Sequence, residues 1–454
     1  MSTAAPGRGQ ATFPRGVHPI EGKSFSQDAA IEVLPTPPQV LVPLLQHIGA
    51  PAQPTVKPKN DVEMGDVIAE SGGFISAAVH ASIRGTTAMV SVATLPNGRH
   101  VSAIPIKAAD EQPLAGEALY ADVFGGDWPA PGAPEFDDRD PQEIAEAVSG
   151  AGLVGLGGAA FPTHVKLTRN DAKPIDTLLV NGCECEPYLT ADYRVMLEAP
   201  GAVVAGALLA ARANGAKRVA ICIEDNKPAA VESVRAAAGP AGVEVLPLKT
   251  KYPQGGEKQT IQAALGREVP NGGLPLDVGV VVMNVGTAAA VARAVLRGKP
   301  LTHRVVTVTG PGIREPKNLL VPVGAPYRAL VEHCGGLTDD VTRLIAGGPM
   351  MGFALGDLDA PVTKGTSGLL ALTSREIAKA PETACIRCGR CVDVCPMRLV
   401  PTKLATAARN RDWDLARRYE ILACMECGCC AYACPASIPL VQLVRMGKAE
   451  MPRE

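Results

Sequence analysis

Residues 150–167 read GAGLVGLGGAAFPTHVKL, with glycine at 150, 152, 155, 157 and 158 and a lysine at 166. Gly150, Gly152 and Gly155 satisfy G-x-G-x-x-G, but a dinucleotide fingerprint of that form lies between a strand and a helix. Here the preceding PQEIAEAV (141–148) has the spacing of a helix, so the match alone is weak. The glycines leave a backbone bare enough to wrap a phosphate or a planar ring, and Lys166 places a cation beside it.

Downstream of this loop the pattern becomes strand–helix alternation. Ile175–Val180, Arg218–Ile223, Val243–Leu246 and Val278–Met283 are short β-branched or Leu-rich runs, separated by Ala-rich helical stretches such as Ala202–Ala213 and Pro228–Ala238. Continuous apolar strands between helices predict a parallel sheet covered on both faces. Polar clusters fall where each strand ends: NGCECEP (181–187), Glu224-Asp225, KYPQGGEK (251–258) and Asn284. Ligands of open parallel sheets bind outside the carboxyl ends of the strands. An N-cap explains any one cluster, such as Asp225, but explains the set poorly.

Working outward, residues 300–356 read as a small β-rich module with one helix around Tyr327–His333. Residues 40–107 alternate short strands with turn signals, as in a carrier-type β sandwich of the biotinyl or lipoyl kind. Such a carrier holds its cofactor on a lysine at a hairpin tip; the tip here, Ser71–Ser76 (SGGFIS), has none, which predicts a docking or structural module. Residues 1–30 read as an extended arm. Residues 122–141 are rich in Pro, Gly and acid, the signature of a linker.

Eight of the 13 cysteines lie in two copies of one pattern, Cys385-x2-Cys388-x2-Cys391-x3-Cys395-Pro396 and Cys424-x2-Cys427-x2-Cys430-x3-Cys434-Pro435. This is the bacterial ferredoxin run, whose fourth cysteine ligates the other cubane in two-cluster proteins. Cys385, Cys388, Cys391 and Cys434 are therefore expected on one [4Fe–4S] cluster, and Cys424, Cys427, Cys430 and Cys395 on the second. A zinc ribbon needs neither the third cysteine nor the Cys-Pro. Cys429 reads as a non-ligand thiol, and Cys222 and Cys334 as buried structural ones.

Composition agrees with this assignment. At roughly 150 residues per domain, 454 residues make about three domains. A net charge of -2 and 4% aromatics exclude bulk attraction to nucleic acid and a base-stacking platform. The N-terminus lacks the apolar region of a secretory signal. The longest apolar run, Val278–Ala292, falls short of the ~20 residues a spanning helix needs.

GLVGLGGAAFPTHVKL, NGCECEPYLTADYRVMLE, YPQGGEKQ and NVGTAAAV resemble the FMN- and NADH-binding segments of the complex I 51-kDa subunit. The full module order, with FPRGVHPIEGK and PLLQHIGAPAQP, resembles the RnfC family, the NADH-oxidising subunit of the Rnf ion-translocating electron transport complex. The resemblance implies a multidomain α/β protein. Its parts would be an arm (1–30), a β barrel-sandwich domain (31–108), a linker (109–142), a Rossmann-like FMN- and NADH-binding domain (143–298), a β-grasp SLBB module (299–372) and a helical two-cluster ferredoxin-like domain (373–454). It implies non-covalent FMN, NAD(H) and two [4Fe–4S] clusters. The partners would be the other Rnf subunits, including membrane subunits and a ferredoxin-like one, with the chain peripheral on the cytoplasmic face of the membrane.

By the same resemblance, Gly155, Gly157, Gly158 and Lys166 hold the flavin, with Asn181 and Glu184 beside it and Glu186 toward the NADH ribose. Tyr252, Gly255, Gly256 and Glu257 form the facing wall, Asn284 and Thr287 bind the phosphate or ribityl end, and Phe161 stacks on adenine. No side chain is expected to act as catalyst, because the flavin carries the chemistry. Departures from the 51-kDa pattern are Leu156 for Arg, Cys183 for Asp, Cys185 for Ser, Met283 for Asn and Gly286 for Glu. Two other classes compete: a flavin–iron–sulfur reductase serving a cobalamin enzyme, whose sandwich follows the clusters, and a docking subunit with a decayed flavin site.

Overall fold

The structure, a computed structural model, describes residues 11–130, 133–239, 242–377 and 380–452. The first ten residues of the expected arm and residues 131–132 of the expected linker lie outside them.

At the centre, four strands run parallel in the spatial order Val243–Leu248, Arg218–Glu224, Thr177–Gly182 and Val280–Asn284. Side chains alternate across a strand, and Leu178 and Val180 accordingly enter one apolar cluster while Leu179 enters another. The first cluster contains helices Pro141–Gly150, Pro200–Asn214, Pro228–Ala238 and Val285–Arg297; the second contains Glu257–Leu265. Pro200–Asn214 and Val285–Arg297 cross so closely that a Cβ on Gly206 would lie 1.7 Å from the Ala288 carbonyl oxygen. In chain order the strands read third, second, first, fourth. The order reverses between Thr177–Gly182 and Val280–Asn284, and the crevice at such a switch point is where open α/β sheets bind ligands.

The N-terminal sandwich has one sheet of Gln39–Pro43, His100–Ala108, Gly85–Thr87 and Asp61–Val62, with Ser91–Thr94 beside His100–Ala108. A second sheet, of Gln53–Pro54, Val67–Glu70 and Val79–His80, closes over a core of Val40, Val42, Ile68, Ile83, Ile104 and Ile106. Ile31–Val33, expected to open the sandwich, instead pairs in parallel with Lys317–Pro322 and so extends the SLBB-type sheet. The helix of that module spans Tyr327–His333, as the sequence predicts.

The segment 109–142 is more than a connector. Gly116–Phe124 is a helix that sends Leu119 and Phe124 into the central core and anchors Asp122 to Arg293 at 2.7 Å. The Pro/Gly signals at 125–134 mask that short amphipathic turn in the sequence. The arm is likewise tied down: Ala11 N–H donates to the Ala263 carbonyl, Val17 bridges Tyr252, and Tyr188 N–H donates to the Glu21 carbonyl.

In the C-terminal part, helices Pro401–Asn410, Trp413–Arg418 and Leu440–Glu450 close on Leu404, Ala407, Ala416, Ile421 and Val444. Both cysteine motifs lie on loops leading into the short turns Arg390–Asp393 and Cys429–Tyr432. Among the described residues no single helix is long and apolar enough to cross a membrane. The bent pair Ala191–Glu198 and Pro200–Asn214, 95° apart, passes by length and composition, and both helices contribute to the central core.

Candidate functional site

At the carboxyl ends of the two switch-point strands Asn181, the penultimate residue of one, and Asn284, the last of the other, are register partners. Asn284 Oδ1 accepts from Gly286 N–H at 2.8 Å and Thr287 N–H at 3.3 Å, capping helix Val285–Arg297. Its Nδ2 donates to Asp192 Oδ2 at 2.6 Å. Asn181 Nδ2 donates to the Gly255 carbonyl at 2.8 Å, which draws the 251–258 loop over the strand end.

The glycine loop closes the other side. Leu156 N–H donates to Thr287 Oγ1 at 2.9 Å, and Gly155 N–H to the Phe161 carbonyl at 2.9 Å. Gly157 sits so tightly against Asn284 that a Cβ would meet Nδ2 at 2.7 Å, whereas Gly158, at φ +106°, has nothing within 4 Å of that position. Lys166 Nζ reaches Glu257 Oε1 at 2.8 Å and the Val282 carbonyl at 3.0 Å. These contacts bring the segments that carry Gly155, Gly157, Gly158, Lys166, Asn181, Gly255, Glu257, Asn284 and Thr287 together at the carboxyl ends of the two switch-point strands. Bare backbone, two side-chain amides and a cation suit a phosphorylated, planar group, and FMN fits these donors.

The remaining expected residues are placed differently. Glu184, at φ +47°, accepts from Asp192 N–H at 2.7 Å and Tyr193 N–H at 3.2 Å, capping helix Ala191–Glu198. Loss of solvation, then the like charge of Glu184, raises the Asp192 carboxyl. Glu186 is expected toward a ribose, but its carboxylate accepts from Met350 N–H at 3.1 Å and Met351 N–H at 2.8 Å, joining the central domain to the 347–352 turn. Desolvation lifts it to about 7, since those N–H groups only partly replace water. Glu224 pairs with Lys227 at 3.1 Å, and Asp225 accepts from Thr250, so that polar cluster is spent inside the fold. Phe161 is half-buried.

Residues without a local signal complete the site. Lys23 donates to the carbonyls of Glu184, Glu186 and Leu189 at 2.6–2.9 Å, pinning the NGCECEP turn from the arm. Arg304 holds the Leu156 carbonyl at 3.0 Å, and Lys364 holds that of Gly152 at 2.7 Å. Leu156 and Cys183, two departures from the 51-kDa pattern, are buried.

Cys395, Cys424, Cys427 and Cys430 line one cavity, of about 400 Å³ counting its open mouth, together with Cys429, Met397 and Met425. Cys391 packs in an apolar cluster with Cys434, while Cys385 and Cys388 are exposed. The fourth cysteine of each motif thus lies with thiols of the other. Burial pushes the Cys424 thiol up to about 11, so binding iron must expel its proton. Among the described residues no three His, Cys, Asp or Glu side chains converge as on a single metal ion.

The 252–257 segment joins the two regions. Its Gly255 faces Asn181 and Cys185 in the crevice, while Tyr252 OH donates to the Cys427 carbonyl at 2.7 Å. A Cβ on Gly256 would meet Met425 Cε at 2.8 Å. Tyr252, Cys427 and Cys429 share one buried apolar cluster with Cys185 and Met425 at its edge.

Four family models match in this order: an RnfC barrel sandwich hybrid domain (11–111), a Nuo51 FMN-binding domain (148–293), an SLBB domain (305–354) and a 4Fe-4S dicluster domain (384–438). The cofactors of the chain are accordingly FMN and iron–sulfur clusters. The chain is 43% identical over 443 residues to a subunit of the proton-translocating ferredoxin:NAD(+) oxidoreductase complex of Clostridium ljungdahlii, covering 97% of this chain and 94% of that one. It is 41% identical to the counterpart in the Na(+)-translocating complex of Acetobacterium woodii, covering 97% of each. A subunit of the ion-translocating oxidoreductase complex of Rhodobacter capsulatus is 42% identical, with 96% of this chain and 82% of that one covered. In fold the chain resembles a chain of an NAD+-reducing [NiFe]-hydrogenase, with a TM-score of 0.51 at 20% identity over 72% of this chain and 65% of that one.

Proposed function

The chain belongs to the RnfC family of ion-translocating oxidoreductase complexes, and from that premise we propose that it is the NADH-oxidising or NAD+-reducing subunit of such a complex. FMN held here would supply the link between a nicotinamide, which gives two electrons together as a hydride, and cubanes, which accept one at a time. The chain's residues hold and orient the reactants. Gly157 and Gly158 let the backbone approach the flavin, Lys166 and the Thr287 end of helix Val285–Arg297 face its anionic end, and Glu257 offers a carboxylate to ribose hydroxyls.

Cys395, Cys424, Cys427 and Cys430 hold one cluster, and Cys385, Cys388, Cys391 and Cys434 the other. The observation that carries this reading is the 252–257 segment, one stretch of backbone that is both a wall of the crevice and a hydrogen-bonded neighbour of the Cys427 loop. On this reading the second-motif cluster is the flavin's neighbour, and the first, whose Cys385 and Cys388 are exposed, passes electrons to a partner protein. The relatives named as ferredoxin:NAD(+) oxidoreductase subunits suggest ferredoxin at the far end of the chain of carriers and attachment to the membrane through partner subunits.

The test is an anaerobic NADH titration of the purified chain after reconstitution to about eight irons. Bleaching of both flavin and cluster absorbance is expected. Assembled clusters that ignore NADH would turn the assignment toward an electron-docking protein.

A further inference from the structure

We infer that the tip of the N-terminal sandwich belongs to the nucleotide site, with Phe74 offering its ring as a stacking surface for an aromatic base of the nicotinamide dinucleotide. This rests on the reading of the crevice as an FMN and NADH site. The hairpin Ser71–Ser76 is where a carrier of this fold would bear its cofactor lysine, and here it is docked on the central domain instead. His164 Nε2–H donates to the Phe74 carbonyl at 3.1 Å, and the two rings meet edge to face with centroids 6.1 Å apart. His164 lies three residues beyond Phe161 and two before Lys166, so this contact sets Phe74 at the end of the glycine loop.

The ring is presented on a braced loop. Gly72 N–H donates to Ser76 Oγ, Ser76 Oγ–H to the Ala50 carbonyl, and Ala50 N–H to the Ile75 carbonyl, each at 2.9 Å. Despite this bracing Phe74 remains 68% exposed, in a chain with only seven phenylalanines. A rigid exposed aromatic gives large contact area at low entropic cost. In the segment that the hairpin touches, Thr163 Oγ1 and His164 Nδ1 are buried with no partner among the described residues. Since a carbonyl can only accept, His164 Nε2 carries the proton and Nδ1 is a bare acceptor. An exposed aromatic face held against His164, two residues before Lys166, suits a heterocyclic base.

The experiment measures NADH affinity of the FMN- and cluster-loaded chain by anaerobic titration, alongside flavin and iron content, for wild type, Phe74→Ala, Phe74→Leu and Phe74→Trp. Wild type that does not respond to NADH refutes the reading of the crevice, whatever Phe74 does. With wild type responsive, Phe74→Ala is expected to raise the NADH Kd about tenfold (about 1.4 kcal/mol) at unchanged flavin and iron, and Phe74→Trp to restore it. ADP-ribose competition weakened in step assigns adenine; competition unchanged assigns nicotinamide. Both outcomes support the inference. If Phe74→Ala sheds FMN, Phe74→Leu keeps the apolar packing on His164 and decides the matter by the same comparison. A Kd within twofold of wild type at full cofactor content overturns the inference. So does a variant that binds NADH normally but no longer co-purifies with partner subunits, which would make the ring a protein contact.

Discussion

Lys364 is 1% exposed, and its ammonium donates to the Ala78 carbonyl at 2.6 Å and the Gly152 carbonyl at 2.7 Å. It thereby ties the sandwich to the glycine loop, where Gly152 holds φ +65° and a Cβ would strike the Ala78 oxygen at 2.2 Å. Burial alone draws the amine from 10.5 to about 7. Between those values the unfolded lysine keeps a proton that the folded one lacks, so stability rises with pH by about 1.4 kcal/mol per unit. The cost of burying the charge is about 4–5 kcal/mol at pH 6.5 and about 1–2 kcal/mol at pH 9.5. Lys364→Met removes that cost but strands two carbonyls, a loss of about 2–6 kcal/mol. Near parity with wild type is expected at pH 6.5, and a deficit larger by about 3 kcal/mol at pH 9.5. His47 and His80, which face the amine, are held below their ordinary value by burial, His80 at about 3, and are common to both proteins. Urea unfolding followed by the fluorescence of released flavin measures the difference between the two proteins and cancels groups common to both. A difference constant to within about 1 kcal/mol over that range would refute an unpaired buried amine at this junction.

Three further outcomes test the site. Cys395→Ser and Cys424→Ser should each lose the same cluster, about four irons, and Cys434→Ser should match Cys385→Ser instead; the electron paramagnetic resonance of the reduced proteins separates crossed from uncrossed ligation. Gly157→Ala drives a methyl to 2.7 Å from Asn284 Nδ2 and should weaken FMN retention at least about tenfold with iron unchanged, measured by flavin release on dilution. Glu257→Ala frees Lys166 and should raise the NADH KM severalfold while iron content holds; unchanged NADH kinetics would remove Glu257 from the site.

The legible parts of this protein are those in which chemistry is local. A ferredoxin run is written in consecutive residues, and the strands Thr177–Gly182 and Val280–Asn284 are short buried runs that end on their own polar residues. Position after an apolar run suffices to put Asn181 and Asn284 at a ligand edge; that they are register partners needs the sheet itself. Glu184 and Glu186 show where motif reading stops. Both lie in the turn after the strand, as the sequence predicts, but φ +47° at Glu184 and the backbone N–H groups of Met350 and Met351 determine where their carboxylates point. Those partners lie more than 160 residues away from Glu186 and carry no side-chain signature. Lys23 and Lys364 are hidden for the same reason, since each binds backbone carbonyls, which every residue has.

The arm carries this point furthest. Residues 11–23 have no periodicity, yet Arg15 donates to the Val392 carbonyl and Gly16 N–H to that of Val394, at the turn of the first cysteine motif. The next residue, Val17, exchanges backbone hydrogen bonds with Tyr252, whose hydroxyl holds the second motif. Lys23 then pins the turn that follows Asn181. One short stretch of chain therefore touches, in order, the first cysteine motif, the 252–257 segment and the turn after Asn181. On the proposed reading electron transfer depends on how those three are spaced, and hydrogen bonds tie each of them to the arm. A segment can be without pattern in sequence and still govern function, because main-chain donors and acceptors need only a defined path through space.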